Sequence, residues 1–231
     1  MRGGMSMLVQ DWMSKNVITI EVDKSMEDAV KLLKKHDIKM LPVMKKGKLT
    51  GIVTDRDLKR AQASDATSLD IHELLYLLST IKIGHVMSKN PITIPIDFTI
   101  EETADILLKN KISGAPVVDS KENIVGAITQ NDLFRALISL SGFGKKGIQF
   151  AFLLEDRPGS IKEVADIIRK FNARMVSILS TYDNISEGYR KVIIRIYDID
   201  RRNLPKLKDE LKHKAKLLYM VDHRDNVREI Y

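Results

Sequence analysis

Gly51-Ile52-Val53-Thr54-Asp55-Arg56-Asp57-Leu58, GIVTDRDL, returns as Gly126-Ala127-Ile128-Thr129-Gln130-Asn131-Asp132-Leu133, GAITQNDL. A short apolar run, a threonine and an acid three positions later read as a strand feeding directly into a helix. Reading outward, Met13-Ser14-Lys15-Asn16 recurs as Met87-Ser88-Lys89-Asn90. Val17-Ile18-Thr19-Ile20 matches Pro91-Ile92-Thr93-Ile94, and Met40-Leu41-Pro42-Val43 matches Gly114-Ala115-Pro116-Val117, all at an offset of 74 residues. One inserted residue near Ser120 raises the offset to 75 for the quoted octets. A repeat of this size means two copies of one supersecondary unit.

Each copy reads as βαββα. A VITI or PITI strand leads to a helix opened by Ser25 or Thr99, with an acid in the first turn as cap chemistry requires. Met26, Ala29, Val30, Leu32 and Leu33 form the apolar face of the first helix, and Ile100, Ala104, Ile106, Leu107 and Leu108 that of the second. Strands are expected at 41–44 and 49–53 in one copy and at 115–118 and 124–128 in the other, followed by the helix after Thr-x-x-Asp. Between the copies Ile71, Leu74, Leu75 and Leu78 fall at i, i+3, i+4 and i+7, predicting an amphipathic helix packed on the core, with a partner-docking helix as the alternative.

The 231 residues exceed one average domain, and 44% hydrophobic with 30% charged residues is enough to fill real cores. The absence of cysteine excludes disulfides, thiolate metal sites and a cysteine nucleophile. No apolar run approaches the length of a membrane span, and MRGGMSMLVQDW lacks the apolar core of a signal peptide, so a soluble cytoplasmic protein is expected. A net charge of +7 permits attraction to nucleic acid or phosphorylated ligands without specifying either.

Thr-x-x-Asp at a helix start has two readings. It can be a capping box. It can also present a carboxylate and free amides, at the positive end of a helix, to a ribose- and phosphate-bearing ligand. The recurrent MSKN, strand, x-x-Pro-Val and Gly-x-x-Thr-x-x-Asp order over residues 9–137 resembles the paired cystathionine-β-synthase (CBS) domains. That resemblance implies a module with two clefts for adenosine-containing ligands such as AMP, ADP, ATP or S-adenosylmethionine. It assigns Thr54 and Asp57 to one cleft and Thr129 and Asp132 to the other, the Asp on the ribose and the Thr toward the phosphate. Ile18, Thr19, Met40, Pro42, Ile92, Thr93, Ala115 and Pro116 are implied to line the adenine pockets. Arg56 and its counterpart Asn131 differ between the copies; an inward Arg56 would pair with phosphate. His36, Lys39, Lys111 and Arg135 are further cationic candidates.

After the turn-forming stretch 141–147 the pattern changes to strand 148–154, helix 160–171, strands 174–181 and 189–197, helix 204–214 and strand 216–221. This βαββαβ order is ferredoxin-like. Glu155-Asp156-Arg157-Pro158-Gly159-Ser160-Ile161 resembles the acid-x-Pro-Gly-x-Ile turn of ACT domains, which implies dimerisation and a second small ligand near Asp156, Pro158, Gly159 and Ser160. An ordinary βα turn is the alternative, and Ala173-Arg174-Met175-Val176-Ser177 lacks the family's frequent Asn at the second strand.

The expected fold class is therefore α+β, a CBS-pair module of two βαββα repeats plus a ferredoxin-like ACT domain. Its parts are repeat one (8–62), the connecting helix (63–82), repeat two (83–140), a linker (141–147) and the ACT domain (148–224). The whole order is similar to the acetoin-utilisation protein B group. No His-Glu-x-x-His, Gly-x-Ser-x-Gly or P-loop sequence occurs, so a regulatory protein is expected rather than an enzyme, with no metal. The expected assembly is a homodimer through both modules, with a client enzyme as partner. Two alternatives stand beside it. One is a nucleic-acid regulator using Lys206, Lys208, Lys212, Lys214 and Lys216; the other is a ligand-free scaffold.

Overall fold

The computed structural model describes residues 6–65 and 78–231, and divides into two compact units, Met1–Phe134 and Arg135–Tyr231. The expected connecting helix falls largely on residues outside those described; of its apolar face, Leu78 is described and packs on the first repeat's core.

Both repeats start their first long helix by the same local device. Ser25 Oγ accepts from Asp28 N at 3.1 Å while Ser25 N donates to Asp28 Oδ2 at 3.1 Å, opening α2 (Met26–His36). Thr99 and Glu102 repeat the reciprocal pair at α5 (Ile100–Lys109). Two otherwise unpaired amides are thereby satisfied, which fixes where each helix begins. In repeat one α2 lies between β1 (Ile20–Glu21) and the hairpin β2 (Met40–Lys45)–β3 (Lys48–Thr54), which runs straight into α3 (Asp55–Asp65). Repeat two follows the same order with β5 (Ile94–Pro95), α5, β6 (Gly114–Val118), β7 (Ile124–Thr129) and α6 (Gln130–Leu140). The first strands are shorter than VITI and PITI suggest: only Ile20 and Glu21, or Ile94 and Pro95, join a sheet, each parallel to the x-x-Pro-Val strand. Pro91 has no N–H for a ladder.

Short helices α1 (Val9–Trp12) and α4 (Ile83–Val86) precede the two MSKN segments. Each segment crosses to the other repeat. Ser88–Lys89 forms β4, antiparallel to β3 with Ser88 opposite Ile52 and Lys89 opposite Gly51. Reciprocally, Ser14 and Ala127 exchange backbone hydrogen bonds of 2.9 and 3.0 Å. The glycine that opens each octet is required by this crossing. A Cβ on Gly51 would stand 2.5 Å from Met87 Sδ and 2.9 Å from Ser88 O, and one on Gly126 would meet Met13 Sδ at 2.3 Å and Ser14 O at 3.0 Å. The resulting sheets run β1-β2-β3-β4 and β5-β6-β7.

The second unit is built on β8 (Ile148–Glu155), α7 (Ser160–Lys170), β9 (Arg174–Thr181), β10 (Tyr189–Tyr197), α8 (Leu204–Lys214) and β11 (Lys216–Asp222). β12 (Val227–Ile230), beyond the expected end at 224, adds an antiparallel edge to β11. The sheet order β12-β11-β8-β10-β9 contains the fourth-first-third-second order of a ferredoxin-like unit. Phe150, Phe152, Val192, Ile194, Val164, Ile168, Leu207 and Leu211 form its core between sheet and helices.

Residues 141–147, expected as a linker, are fastened to this sheet. They form a 3₁₀ turn, Phe143–Lys145, with Gly142 at φ 67° against Val176, and the Phe143 ring stands edge-on to His223 at 5.1 Å. Two of the three glycines in this stretch answer tertiary crowding: a Cβ on Gly142 would lie 2.6 Å from Val176 Cγ1 and one on Gly147 1.8 Å from Ile196 O, whereas Gly144 is open.

Two outcomes are expected. Gly51→Ala and Gly126→Ala should each lower the stability measured by urea denaturation by about 1–3 kcal/mol, because the crossing backbone has no room to yield. Burial, then the charges of Arg195 and Arg228, hold the His223 imidazole below its ordinary value of 6.5, against a smaller opposing pull from Asp222. The folded state thus binds fewer protons than the unfolded one. This contribution is complete above about pH 6.5 and is lost as the pH falls through the lowered folded value. The wild-type melting temperature should therefore drop between pH 7.5 and 5 by more than that of His223→Phe.

Candidate ligand-binding site

The crossing of Ser88 onto β3 brings the second repeat's Lys89-Asn90-Pro91-Ile92 beside the first repeat's Thr54-Asp55-Arg56-Asp57. Together with Lys39, Met40, Ile52, Arg60, Ser113, Gly114 and Gln130, these residues line a cavity of about 600 Å³ within the first unit. Thr54 ends β3 and Asp57 stands in the first turn of α3, so a helix start with its positive dipole end opens here.

Thr54 and Asp57 make the reciprocal bonds of a capping box. Thr54 N and Thr54 Oγ1 donate to Asp57 Oδ2 at 2.9 and 2.6 Å, and Asp57 N donates to Thr54 Oγ1 at 3.3 Å. The cap and ligand readings are therefore compatible. One carboxylate oxygen serves the helix start, and among the described residues Asp57 Oδ1 has no protein partner. That oxygen is the acceptor a sugar hydroxyl would use.

Charge at the lining is one-sided. Lys39, Arg56, Arg60, Lys89 and Lys111 all line the cavity, and among the described residues none of the five side chains makes an ion pair or hydrogen bond. Of the two acids there, Asp55 is paired with Lys59 at 2.7 Å and Asp57 is engaged by Thr54. Five unpaired cations suit an anionic ligand.

Met40, Thr54, Arg56, Asp57 and Ile92 share this cavity. Thr129 and Asp132 repeat the geometry elsewhere, Thr129 N and Oγ1 both donating to Asp132 Oδ2 at 2.7 Å, and Asp132 is buried. Asn131 is exposed on α6 next to Gln130, which does line the first cavity. Ile18 is half-buried and Thr19 exposed ahead of β1, and Thr93 is half-buried ahead of β5. Pro42, Ala115 and Pro116 are buried within β2 and β6, where they shape the sheets; the Ala115 side chain lies in the core, away from this cavity. Lys89, Asn90 and Arg60 were not candidates from sequence. For Lys89 and Asn90 the signal was the repeated MSKN itself; Arg60 follows Asp57 by one helical turn. Among the other cationic candidates, Lys39 and Lys111 reach the cavity, whereas His36 and Arg135 do not line it.

The CBS domain family's sequence pattern matches residues 9–64 and 83–139. A CBS domain-containing protein of Dictyostelium discoideum is 35% identical over 137 residues, covering 59% of this chain and 94% of that protein. The chain belongs to the CBS-domain family. Among solved structures, a CBS-domain containing protein from Agrobacterium tumefaciens covers 60% of this chain and 98% of its own at 25% identity and a TM-score of 0.51. A CBS domain pair crystallised with 5′-methylthioadenosine and S-adenosyl-L-methionine is 34% identical over 57% of this chain and 96% of its own, with a TM-score of 0.49. In the present CBS pair no helix among the described residues is long and apolar enough to cross a membrane.

The C-terminal turn differs from the first cavity in being internally neutralised. Gly159 at φ 86° precedes α7 without a side-chain cap, and Ser160, buried, accepts from Arg190 Nη2 at 3.1 Å. Asp156 is exposed and accepts from Tyr182 Oη at 3.3 Å. A cavity of about 260 Å³ nearby is lined by Ser160, Glu163, Arg157 and Lys214 but not by Asp156, Pro158 or Gly159. Glu163 takes two bonds from Arg157 at 2.8 and 2.9 Å and one contact from Lys214 at 2.9 Å, which holds its carboxyl down to about 2.

If the caps contribute independently of any ligand, Thr54→Ala and Thr129→Ala should each cost about 0.5–2 kcal/mol in urea denaturation of nucleotide-free protein.

Proposed function

We propose that this CBS pair is a regulatory ligand sensor that binds an adenine nucleotide, AMP, ADP or ATP, in the cavity at Thr54 and Asp57. The observation that carries the reading is the convergence there of Asp57, with one oxygen unengaged, and five cations from both repeats, unpaired among the described residues. Asp57 holds the ribose, and Arg56 with its neighbours takes the phosphates. The sulfonium of S-adenosylmethionine finds no such complement among these cations. Thr129 and Asp132 form the second cleft, where Asn131 in place of Arg56 asks for less negative charge. Binding becomes a signal only if the nucleotide prefers one arrangement of the protein over another.

We read the C-terminal ferredoxin-like unit as an ACT domain that pairs two copies of the chain, a reading supported by its strand order and by the Pro158-Gly159 turn. A second ligand there would have to displace the Glu163 network or bind outside it. The resemblance of the whole order to the acetoin-utilisation protein B group supports a place in acetoin or acetate metabolism, with a client enzyme reading the signal. The nucleic-acid alternative draws less support. Lys208 pairs with Glu229, Lys214 with Glu163, and Lys212 lies over the Tyr231 ring, so three of its five lysines are occupied.

Calorimetric titration of AMP, ADP, ATP and S-adenosylmethionine tests the reading. ATP and ADP should bind more tightly than AMP, and S-adenosylmethionine most weakly. Arg56→Asn should weaken ATP about 10-fold or more while changing AMP less, as loss of a charge-assisted bond of about 1.5–3 kcal/mol requires. Asp57→Ala should abolish binding at this cleft for every nucleotide. Absence of heat with ligand-free wild-type protein would overturn the sensor reading.

A further inference from the structure

α6 has different business at its two ends. Its first turn carries Asp132, bonded to Thr129, and the helix crosses the division between the units, which falls between Phe134 and Arg135. Just past its end at Leu140, Ser141 O accepts two hydrogen bonds of 2.8 Å, one from Arg195 Nε on β10 and one from Ser177 Oγ on β9. The carbonyl just past the helix is thus gripped by two neighbouring strands of the C-terminal sheet.

Arg195 is an unusual residue to find there. It is 3% exposed, it donates Nη2 to Gln149 Oε1 at 3.2 Å, and its guanidinium stands 5.6 Å from the Phe143 ring. Burying a guanidinium is unfavourable unless its donors are met, yet Nη1 is buried with no acceptor among the described residues. His223, whose ring meets Phe143 edge-on, likewise has Nε2 buried without a partner among the described residues. Gly142 and Lys146 hold left-handed conformations on either side of Phe143, at φ 67° and 45°. The grip thus joins the end of α6 to two strands through a single carbonyl.

We propose that Arg195 is the positioning residue that passes ligand occupancy at Thr129 and Asp132 to the C-terminal sheet, by holding the end of the helix whose start forms that site. The proposal rests on the nucleotide reading above. A ligand engaging Asp132 loads the start of α6; the load reaches Ser141, and through Arg195 and Ser177 it reaches β10 and β9.

Hydrogen–deuterium exchange on the full chain, with and without saturating AMP or ATP, tests this. In wild-type protein nucleotide should change exchange at 141–147 and along 174–181 and 190–197. Arg195→Lys keeps the buried charge and loses the fork. Ser177→Ala removes one of the two bonds without disturbing any charge. Both should leave nucleotide affinity within about threefold of wild type, below the usual scale of coupling, while the response along 174–197 is lost in the first and reduced in the second. Asp132→Ala should remove the response in an otherwise intact clamp. An undiminished response in Arg195→Lys and Ser177→Ala, or none in nucleotide-saturated wild type, overturns the coupling and leaves the sensor standing. Failure of both nucleotides to bind removes the sensor, and the coupling with it.

Discussion

The N-terminal unit depends on one close approach, made twice. Met-Ser of each repeat lies across the glycine at the head of the other repeat's octet, near enough that a methyl group on that glycine would collide with the methionine and press on the serine carbonyl. Hydrogen bonds lock the crossing, through β4 on one side and the Ser14–Ala127 bridge on the other. Much follows from it. The chain leaving Met87-Ser88 is delivered to the first repeat's Thr-x-x-Asp, so Lys89, Asn90 and Ile92 share a cavity with Thr54 and Asp57. The capping boxes set where helices begin; the glycine crossings set which pieces of chain share a cavity.

Whatever depends on neighbours in the chain was legible in the sequence. Ser25 with Asp28, Thr99 with Glu102 and Thr54 with Asp57 are three residues apart, and the structure joins each pair as cap chemistry demands. The βαββαβ order of the second unit was legible for the same reason, since period and turn residues are local signals. What escaped is tertiary. The two MSKN segments are obvious as a repeat, yet nothing along the chain says that each crosses to the other copy, or that the second helps line the first copy's cavity. Gly142 and Gly147 have the composition of a linker, but they are glycines because Val176 and Ile196 crowd them. Ala115 shares a motif with cleft residues, and strand alternation turns its side chain into the core. The lysines of α8 look like a basic face until Glu163 and Glu229, distant in sequence, are placed beside them.

The two units handle charge in opposite ways. In the second, Arg157, Lys214 and Glu163 neutralise one another, as do Lys208 and Glu229, and Asp222 with Arg201. Around the first unit's cavity five cations stand without partners among the described residues. Repulsion among them is a standing cost, one that an incoming polyanion relieves and that salt screens. At this cavity, cationic charge thus stands beside the groups suited to bind a ligand.

The walls of that cavity are drawn from a duplicated stretch of chain. Met40 and Gly114 occupy equivalent places in the two repeats, as do Asp55 and Gln130, and all four line the one cavity. These positions come from both repeats, so the wall of this cavity belongs to neither copy alone. Gly114 lies opposite Thr129 in the β6–β7 pair and Gln130 follows Thr129 in the chain, so a substitution at either enters the surroundings of Thr54 and Asp57 as well as those of Thr129. One copy cannot vary there without altering the walls that serve the other.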